Sequence, residues 1–236
     1  QWGPLKIFTG NSNPNLATRV AKHLGVKVGD LSVRKFSDGE TFVKINENVR
    51  GSDVFLIQSL SNTANDFLIE TCLLADLARR QRAGKITALI PYLVYGRQNK
   101  PHLHHPIALE VVCKMLRAAG VDQLITIESH GGDLFCNRSD EEPFIISLSW
   151  MTLWAEAFKQ KFGPDLTNWV LVSPDHGARH RGKEASCYLG LPWVVLDKKR
   201  GPDSRDSVHC IFEQYSVDVQ GKYCVVLDDL CDTGST

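Results

Sequence analysis

The sequence lacks three features that would each indicate a particular class of protein. Its seven cysteines include no CxxC pair, and their odd number favours reduced thiols over a disulfide framework or a structural zinc site. The 27 basic and 27 acidic residues form no long run of one sign, which argues against non-specific binding to nucleic acid or to a membrane surface. No signal peptide and no membrane-spanning apolar run are evident, so we expect a soluble cytoplasmic protein.

What the sequence does contain is a regular alternation of apolar runs and amphipathic stretches. This alternation predicts an α/β fold in which helices flank parallel sheets. A polar segment at 137–142 interrupts it, and we expect two similar units, residues 1–145 and 146–236. The predicted strands are 5–9, 41–45, 53–58, 86–93, 123–127, 169–172, 193–196 and 223–227, and the predicted helices are 14–24, 64–82, 106–119, 149–162 and 179–189.

The stretch around which the chain is organised is 222–236, KYCVVLDDLCDTGST. Asp228 and Asp229 follow an apolar strand, so we expect them at its carboxyl end, where α/β sheets bind ligands. Carboxylates accept hydrogen bonds from sugar hydroxyls, whereas hydroxyl groups and a close glycine backbone suit a phosphate. A sugar phosphate would satisfy both halves of the motif, Asp228 to Thr236: the acids would face its hydroxyls, and the residues after Asp232 (Thr233, Gly234, Ser235 and Thr236) would hold its phosphate.

Three other interpretations of this stretch are open. The letters DTGS also spell the aspartic-protease motif; that fold needs two such loops and the chain has one, so a protease would need two identical chains, which the alternating strands and helices upstream match poorly. A phosphatase of the DxDxT type needs acids two positions apart, whereas Asp229 and Asp232 are three apart. An acidic turn that caps a helix, with Asp232 or Thr233 as the N-cap, is the plainest alternative.

Polar residues follow the other predicted strands as well. A basic turn at 197–202 follows the strand 193–196, and the histidines of the HxHH loop at 102–105 are more typical of a solvated segment than of a metal site. Phe36 is interpreted from its pattern alone as a core residue. The polar and charged residues at the predicted strand ends together suit the chemistry of a polyanion with a divalent cation. They are Arg97, Gln98, His130, Asp175, Lys198, Arg200, Asp228 and Asp229.

These residues lie in segments that resemble the ribose-phosphate pyrophosphokinases, the phosphoribosyl pyrophosphate (PRPP) synthetases. The resemblance extends through almost the whole chain, and its segments occur in the family's order. It implies two phosphoribosyltransferase-type units and the transfer of a pyrophosphoryl group from Mg-ATP to the anomeric hydroxyl of ribose 5-phosphate. The most specific segments are KIFTGNSNPNLA, RKFSDGETFVKINENVRG, ALIPYLVYGRQ, AAGVDQLITIESH, VSPDHGARHR, LDKKR and VVLDDLCDTGST.

The resemblance also implies a role for individual residues. Phe36, Asp38 and Glu40 match a loop that reaches the adenine site of a neighbouring subunit, in a homo-oligomer of the hexamer-of-dimers type. Arg97 and Gln98 match residues near the nucleotide, and His130 and Asp175 match the Mg²⁺ site. Lys198, Arg200 and His130 match catalytic residues. The ribose 5-phosphate site is matched by Asp228, Asp229 and 232–236.

Two alternatives follow from the same resemblance. Gly234 and Ser235 differ from the family's usual DTxGT loop, which raises the possibility of a different ribosyl 5-phosphate acceptor. A non-catalytic regulatory or assembly subunit would keep the fold without the reaction. Family members continue through a further helix and strands, so we expect the second domain to be incomplete at its C-terminus.

Overall fold

The computed structural model describes residues 3–99, 103–130, 144–200, 208–213 and 217–231, with only the backbone described at 197–200 and 208–213. The chain divides into two compact units, Gln1–Leu148 and Ser149–Thr236. Each contains a largely parallel sheet and helices, which confirms the predicted α/β class. The assignment of 1–145 and 146–236 to two family domains stays a prediction.

The first unit is built on five parallel strands. In chain order its elements are β1 (Leu5–Thr9), α1 (Pro14–His23), β2 (Leu31–Lys35), β3 (Thr41–Ile45), β4 (Asp53–Ile57), α2 (Ala64–Arg80), β5 (Lys85–Leu89), α3 (Ala108–Ala118), β6 (Gln123–Ile127) and β7 (Ile145–Leu148). The sheet order is β1-β4-β5-β6-β7, with every pair parallel. Strands β2 and β3 form a separate antiparallel hairpin.

Both faces of this sheet are covered, as the apolar character of its strands requires. On β4, Val54 and Leu56 belong to one apolar cluster together with Leu74 of α2. Ile57 belongs to another cluster, which includes Ala17 of α1. Because successive side chains of a strand point to opposite faces, α1 and α2 cover opposite faces of the sheet.

A buried carboxylate holds the loop between β1 and α1 in place. Glu70 of α2 is 2% exposed and accepts hydrogen bonds from the Asn11 amide (3.0 Å), Asn11 Nδ2 (2.8 Å) and Gln58 Nε2 (2.7 Å). Gln58 Oε1 in turn accepts a bond from the Ser12 hydroxyl at 2.7 Å. A Cβ at Gly10 would lie 2.6 Å from Glu70 Oε2, so a side chain does not fit there. The network fixes the loop at the carboxyl end of the first sheet.

We expect Glu70→Gln to lower the free energy of local unfolding here by about 1–3 kcal/mol, because the new amide hydrogens would face the donors of Asn11 and Gln58. Hydrogen exchange in peptides covering 3–13 and 53–60 measures this. Asp76→Asn, on the same helix, is the matched control: its exposed carboxylate pairs with Arg80 at 2.6 Å, and such a pair contributes about 0.5 kcal/mol or less. Equal exchange in the two variants would contradict the role of Glu70.

The second unit contains a four-stranded sheet and two helices. Its elements are α4 (Met151–Phe162), β8 (Trp169–Ser173), α5 (Arg179–Leu189), β9 (Trp193–Arg200), β10 (Val208–Glu213) and β11 (Tyr223–Val226). The sheet order is β10-β9-β8-β11; β8 pairs in parallel with β9 and β11, whereas β10 is antiparallel to β9. One apolar cluster joins both helices to the sheet through Met151, Phe158, Leu171, Ala185 and Leu227.

The structure corrects the predicted basic turn at 197–202. Strand β9 pairs with β8 only from Trp193 to Val195, but with β10 from Val195 to Arg200. Residues 198 and 200 are therefore part of a strand rather than of a turn. The prediction ended the strand where the apolar run ends, whereas a two-stranded antiparallel ribbon does not need the apolar residues of a buried parallel strand.

Other differences from the sequence predictions are smaller. Strands β2, β7 and β10 were not predicted. The helical spacing of Trp150, Leu153, Trp154 and Phe158 predicts a stripe of α4 that faces the core, but Leu153 is 71% exposed. Trp154 and Phe158 of that stripe do pack together, with ring centroids 5.2 Å apart. Within the described part of the chain, no helix has the length and apolar character needed to cross a membrane.

Candidate active site

Two neighbouring strands of the first unit end in candidate site residues. The loop after β5 carries Arg97 and Gln98, which are exposed, and the segment after β6 carries His130, which is also exposed. The strands are parallel neighbours, so both segments start from the same edge of the sheet. The next residue, Asn99, is buried and donates a hydrogen bond from Nδ2 to the main-chain oxygen of His130 at 2.7 Å. The structure thus brings Arg97, Gln98 and His130 to one edge, as predicted.

The backbone at this edge is unusual in two places. Tyr95 and Glu128 have φ angles of 62° and 45°, in the left-handed region that residues other than glycine seldom adopt. Between them, Gly96 approaches the other loop closely, since a Cβ built on it would lie 3.2 Å from His130 Cβ. Such local strain is more common at functional sites than elsewhere.

The residues matched to the adenine site lie on the tip of the β2–β3 hairpin. Phe36, Asp38 and Glu40 are all exposed, and Gly39 has a φ of 94° that closes the turn. Phe36 is 43% exposed, so the interpretation of this ring as a core residue was wrong. Its ring packs edge-on against Phe42 at 5.8 Å. An aromatic ring held in this way at an exposed tip can pack against another flat ring.

Arg34 supports the aromatic pair of the hairpin. Its guanidinium carbon lies 5.0 Å from the centre of the Phe36 ring and 4.5 Å from that of Phe42. These distances are typical of cation–π contacts. Elsewhere, an ion pair between Lys35 and Asp66 at 2.8 Å connects the hairpin to α2.

Three acidic residues of the second unit lie at the carboxyl ends of β8 and β11, which are parallel neighbours. Asp175 follows β8, and its Oδ1 accepts a hydrogen bond from the Ala178 amide at 3.0 Å, just before α5. Asp228 and Asp229 follow β11. Arg181 of α5 binds Asp229 through an Nη2–Oδ2 contact of 2.9 Å, and the two side chains are only 13% and 5% exposed. A buried ion pair therefore holds one of the two adjacent acids.

The pKa of Asp228 lies above its usual value. Burial of the carboxyl group is the main cause, and the nearby Asp229 and Asp175 add to it; the Asp229 amide, which donates a hydrogen bond to Asp228 Oδ1 at 2.9 Å, acts in the opposite direction. The carboxyl groups of Asp229 and Asp175 are thus close enough to disfavour the ionisation of Asp228.

We expect Asp228→Asn to raise the melting temperature at neutral pH. The native state holds this proton more tightly than the unfolded chain, so wild-type stability is lost as pH rises through the raised pKa of Asp228. The asparagine variant has no such loss, and its oxygen still accepts the Asp229 amide. Melting curves in EDTA from about pH 3 to pH 7 measure the difference, which should vanish below the usual aspartate pKa. A difference independent of pH would contradict this explanation.

The acids of the second unit fit a magnesium ion in their chemistry. Over the described ranges, no three or more His, Cys, Asp or Glu side chains are arranged to hold a metal by themselves. Mg²⁺ at phosphoryl-transfer sites does not require that, since one or two carboxylates and the substrate's phosphates usually hold it. A divalent cation would also offset the repulsion from Asp229 and Asp175 that adds to the effect of burial on the pKa of Asp228.

The remaining predicted residues are not all described. His130 belongs to the first unit and Asp175 to the second, and their pairing at one metal site stays a prediction. Lys198 and Arg200 lie on β9, where the structure describes the backbone alone. The motif residues Asp232, Thr233, Gly234, Ser235 and Thr236 lie outside the described residues.

Sequence reasoning missed three contributors to these edges: Glu70, Arg181 and Asn99. Each acts through a partner that is distant in sequence, which no local pattern specifies. Glu70 did leave one signal, because a carboxylate between Leu68 and Leu74 on the apolar side of a helix must find donors.

Comparison with known proteins agrees with this arrangement. A family described as the N-terminal domain of ribose phosphate pyrophosphokinase matches residues 5–120. Ribose-phosphate pyrophosphokinase 1 of Lactococcus lactis is 39% identical over 235 residues, which cover 98% of this chain and 70% of the relative. The ribose-phosphate pyrophosphokinase of Agrobacterium fabrum is 36% identical over 235 residues, or 98% of this chain and 72% of the relative.

A solved structure gives the same result at the level of the fold. The crystal structure of phosphoribosylpyrophosphate synthetase from Mycobacterium smegmatis superposes with a TM-score of 0.85 at 33% identity. The match covers 98% of this chain and 73% of that one. Identity of this degree over almost the whole chain, together with a shared fold, leads to one conclusion: the chain belongs to the ribose-phosphate pyrophosphokinase family.

Proposed function

We propose that this chain transfers the pyrophosphoryl group of ATP to the anomeric hydroxyl of ribose 5-phosphate, giving PRPP and AMP. The observation that carries the proposal is the full-length identity to enzymes of that name. The acids at the ends of β8 and β11, and the polar residues at the ends of β5 and β6, support it, because α/β sheets bind ligands at these ends. In the transfer, the sugar hydroxyl attacks the β-phosphorus and AMP leaves.

The acceptor sugar would be held by the segment after β11. Asp228 and Asp229 would accept hydrogen bonds from ribose hydroxyls, and the ion pair with Arg181 would hold Asp229 in place. The 5-phosphate needs donors instead, and the hydroxyl groups and backbone of 232–236 supply them. This division of labour separates the acids from the phosphate that they would repel.

The nucleotide would be bound by Arg97 and Gln98, whose donors suit phosphate oxygens and base edges. Asp175 and His130 are proposed as the protein's ligands for Mg²⁺, which would neutralise the charge of the ATP phosphates. Lys198 and Arg200 would face the pyrophosphoryl group during transfer. Phosphoryl transfer depends mainly on positioning of the reactants and on stabilisation of charge. The cationic side chains of Lys198 and Arg200 would provide this stabilisation of charge.

The test is to incubate the protein with Mg-ATP and ribose 5-phosphate and to separate the nucleotides by chromatography. We expect AMP and PRPP in equal amounts, and no AMP without the sugar. Asp229→Asn should impair turnover without abolishing ATP binding. Production of ADP in place of AMP, or no turnover at all, would contradict the proposal, and the second result would favour a non-catalytic subunit.

The identity of the acceptor can be tested separately through Ser235, which departs from the family's loop. If ribose 5-phosphate is the natural acceptor, Ser235→Gly should leave its use unchanged or improve it, because glycine lets the backbone approach a phosphate more closely. A variant that gains ribose 5-phosphate turnover absent from the wild type would indicate a different acceptor.

We also propose that the chain forms a homo-oligomer in which the β2–β3 hairpin completes the nucleotide site of a neighbour. The exposed tip with its supported Phe36 ring motivates this. Phe36→Ala and Arg200→Ala should each be poorly active, whereas mixed oligomers of the two should regain activity, because some sites then receive an intact hairpin and an intact Arg200. Mixing Phe36→Ala with Glu40→Ala is the control, since no site can then be intact. Equal behaviour of the two mixtures, or a fully active monomer, would contradict it.

A further inference from the structure

A buried hydroxyl group connects the end of β8 to the start of α5. Ser173 is the last residue of β8 and is 0% exposed. Its Oγ donates a hydrogen bond to the main-chain oxygen of Ala178 at 3.1 Å and accepts one from Trp193 Nε1 at 2.9 Å. Ala178 immediately precedes α5, and Trp193 is the first residue of β9. One side chain therefore joins two neighbouring strands to a helix.

The bond between Ser173 and Ala178 closes the turn that carries Asp175. The Ala178 amide donates a hydrogen bond to Asp175 Oδ1 at 3.0 Å. Both main-chain polar groups of Ala178 are thus engaged, since its amide meets the Asp175 carboxylate while its oxygen accepts the Ser173 hydroxyl. The place of this one residue therefore determines where the carboxylate of Asp175 lies.

The same contact restrains the first turn of α5. The Gly182 amide donates to the main-chain oxygen of Ala178 at 3.2 Å. A Cβ built on Gly182 would collide with Ser173 Oγ, so the helix lies directly against the end of β8. Arg181, which binds Asp229, is the residue before Gly182. The supports of two acids, at the ends of two neighbouring strands, therefore meet at Ser173.

We infer that Ser173 is a positioning residue for Asp175. Its hydroxyl has a single hydrogen, which it donates to Ala178, and a lone pair that accepts the indole of Trp193. Because Ser173 is wholly buried, it acts through the turn rather than through contact with a substrate. The inference rests on the proposed function, because that function makes Asp175 a ligand of Mg²⁺.

The first test compares the same substitution at the two ends of α5. Ser173→Ala removes the bond at the start of the helix. Ser186→Ala is the matched control, because Ser186 Oγ donates to the main-chain oxygen of Leu191 at 2.7 Å, beyond the other end of α5. We expect kcat of Ser173→Ala to fall by about 10–100-fold, as when groups that orient a metal ligand are removed. Ser186→Ala should stay close to wild type.

A titration with Mg²⁺ at fixed ATP and ribose 5-phosphate separates positioning from stability. The concentration of Mg²⁺ that gives half-maximal activity should rise in Ser173→Ala, because a displaced carboxylate is a poorer ligand. It should not change in Ser186→Ala. Equal changes in kcat and in the requirement for Mg²⁺ in the two variants would show that Ser173 contributes to stability alone, and would overturn the inference.

A second readout follows the turn itself and needs neither magnesium nor substrate. The sequence has one Gly–Ala junction, Gly177–Ala178. Protein labelled with carbonyl-¹³C glycine and ¹⁵N alanine therefore gives one carbonyl–amide correlation, that of the Ala178 amide. We expect this amide to exchange with solvent about tenfold faster in Ser173→Ala, as loss of the net contribution of one hydrogen bond implies. In Ser186→Ala its exchange rate should match that of the wild type.

A double variant carries the test if Ser173→Ala does not fold. Trp193→Phe combined with Ser173→Ala leaves no buried indole donor without an acceptor. It is compared with Trp193→Phe alone, in which Ser173 still binds Ala178, and it should show the same losses. Wild-type kcat, or an unchanged Ala178 exchange rate, would overturn the inference. If the wild type makes no PRPP, the proposed function fails together with the catalytic part of the inference, while the Ala178 amide still decides whether Ser173 holds the turn.

Discussion

Arg181→Ala is expected to destabilise the second unit by about 3–5 kcal/mol, since removal of one partner leaves an uncompensated buried charge. The pair is nearly enclosed, with Asp229 only 5% exposed and the Nη2–Oδ2 distance 2.9 Å. The loss should also loosen Asp229 at the proposed sugar site, so turnover should fall along with stability. Arg181→Lys keeps the charge and should recover part of both, although lysine cannot reproduce the fork of donors.

Tryptophan fluorescence during urea denaturation measures this loss mainly in the second unit, because four of the five tryptophans (150, 154, 169 and 193) lie there. Arg179→Ala is the matched control, since Arg179 is on the same helix but exposed. It should change the free energy of unfolding by less than about 0.5 kcal/mol. Equal denaturation curves for the two variants would show that the ion pair with Asp229 is not a support of this edge.

Lys198→Ala and Arg200→Ala are each expected to slow turnover strongly. Each should remove about 2–4 kcal/mol of transition-state stabilisation, as the loss of a preorganised charged group does. Both residues lie on the part of β9 that pairs only with β10. A positive charge placed close to the pyrophosphoryl group during its transfer stabilises the transition state more than it stabilises the bound substrates. ATP binding should therefore change little.

Steady-state kinetics with a separate ATP-binding titration distinguish these effects. Lys222→Ala serves as the control, because Lys222 precedes β11 at the opposite end of that strand from Asp228. Wild-type turnover in Lys198→Ala or Arg200→Ala would remove that residue from the catalytic set. A loss of ATP affinity as large as the loss in kcat would assign it to ground-state binding instead.

The elements that could be predicted from the sequence are those that are buried and consist mainly of apolar residues. Strands such as β4 and β8 are apolar runs that end in polar residues, so both the strand and the edge that it serves could be predicted. Strands β7 and β10 could not, because both depend on pairing rather than on a strong apolar run. The hairpin tip was misjudged for a related reason: Phe36 looks apolar in sequence, but its neighbours are Phe42 and Arg34 rather than the core.

The candidate site shows the same division. Asp228 and Asp229 could be predicted at a strand end from the cost of burying charge. The partner of Asp229 could not, since the helix that carries Arg181 meets this edge only in the folded protein. The roles of Lys198 and Arg200 came from resemblance and charge, and they stay predictions.

The fate of the ATP phosphates tests the central claim most directly. The protein is supplied with ribose 5-phosphate and with ATP labelled at either the α- or the γ-phosphate, and the labelled products are separated. The proposed reaction places the γ-label in PRPP and leaves the α-label in AMP, in equal amounts and only when the sugar is present. A γ-label that appears as free phosphate, or in a sugar monophosphoryl product accompanied by ADP, would contradict pyrophosphoryl transfer.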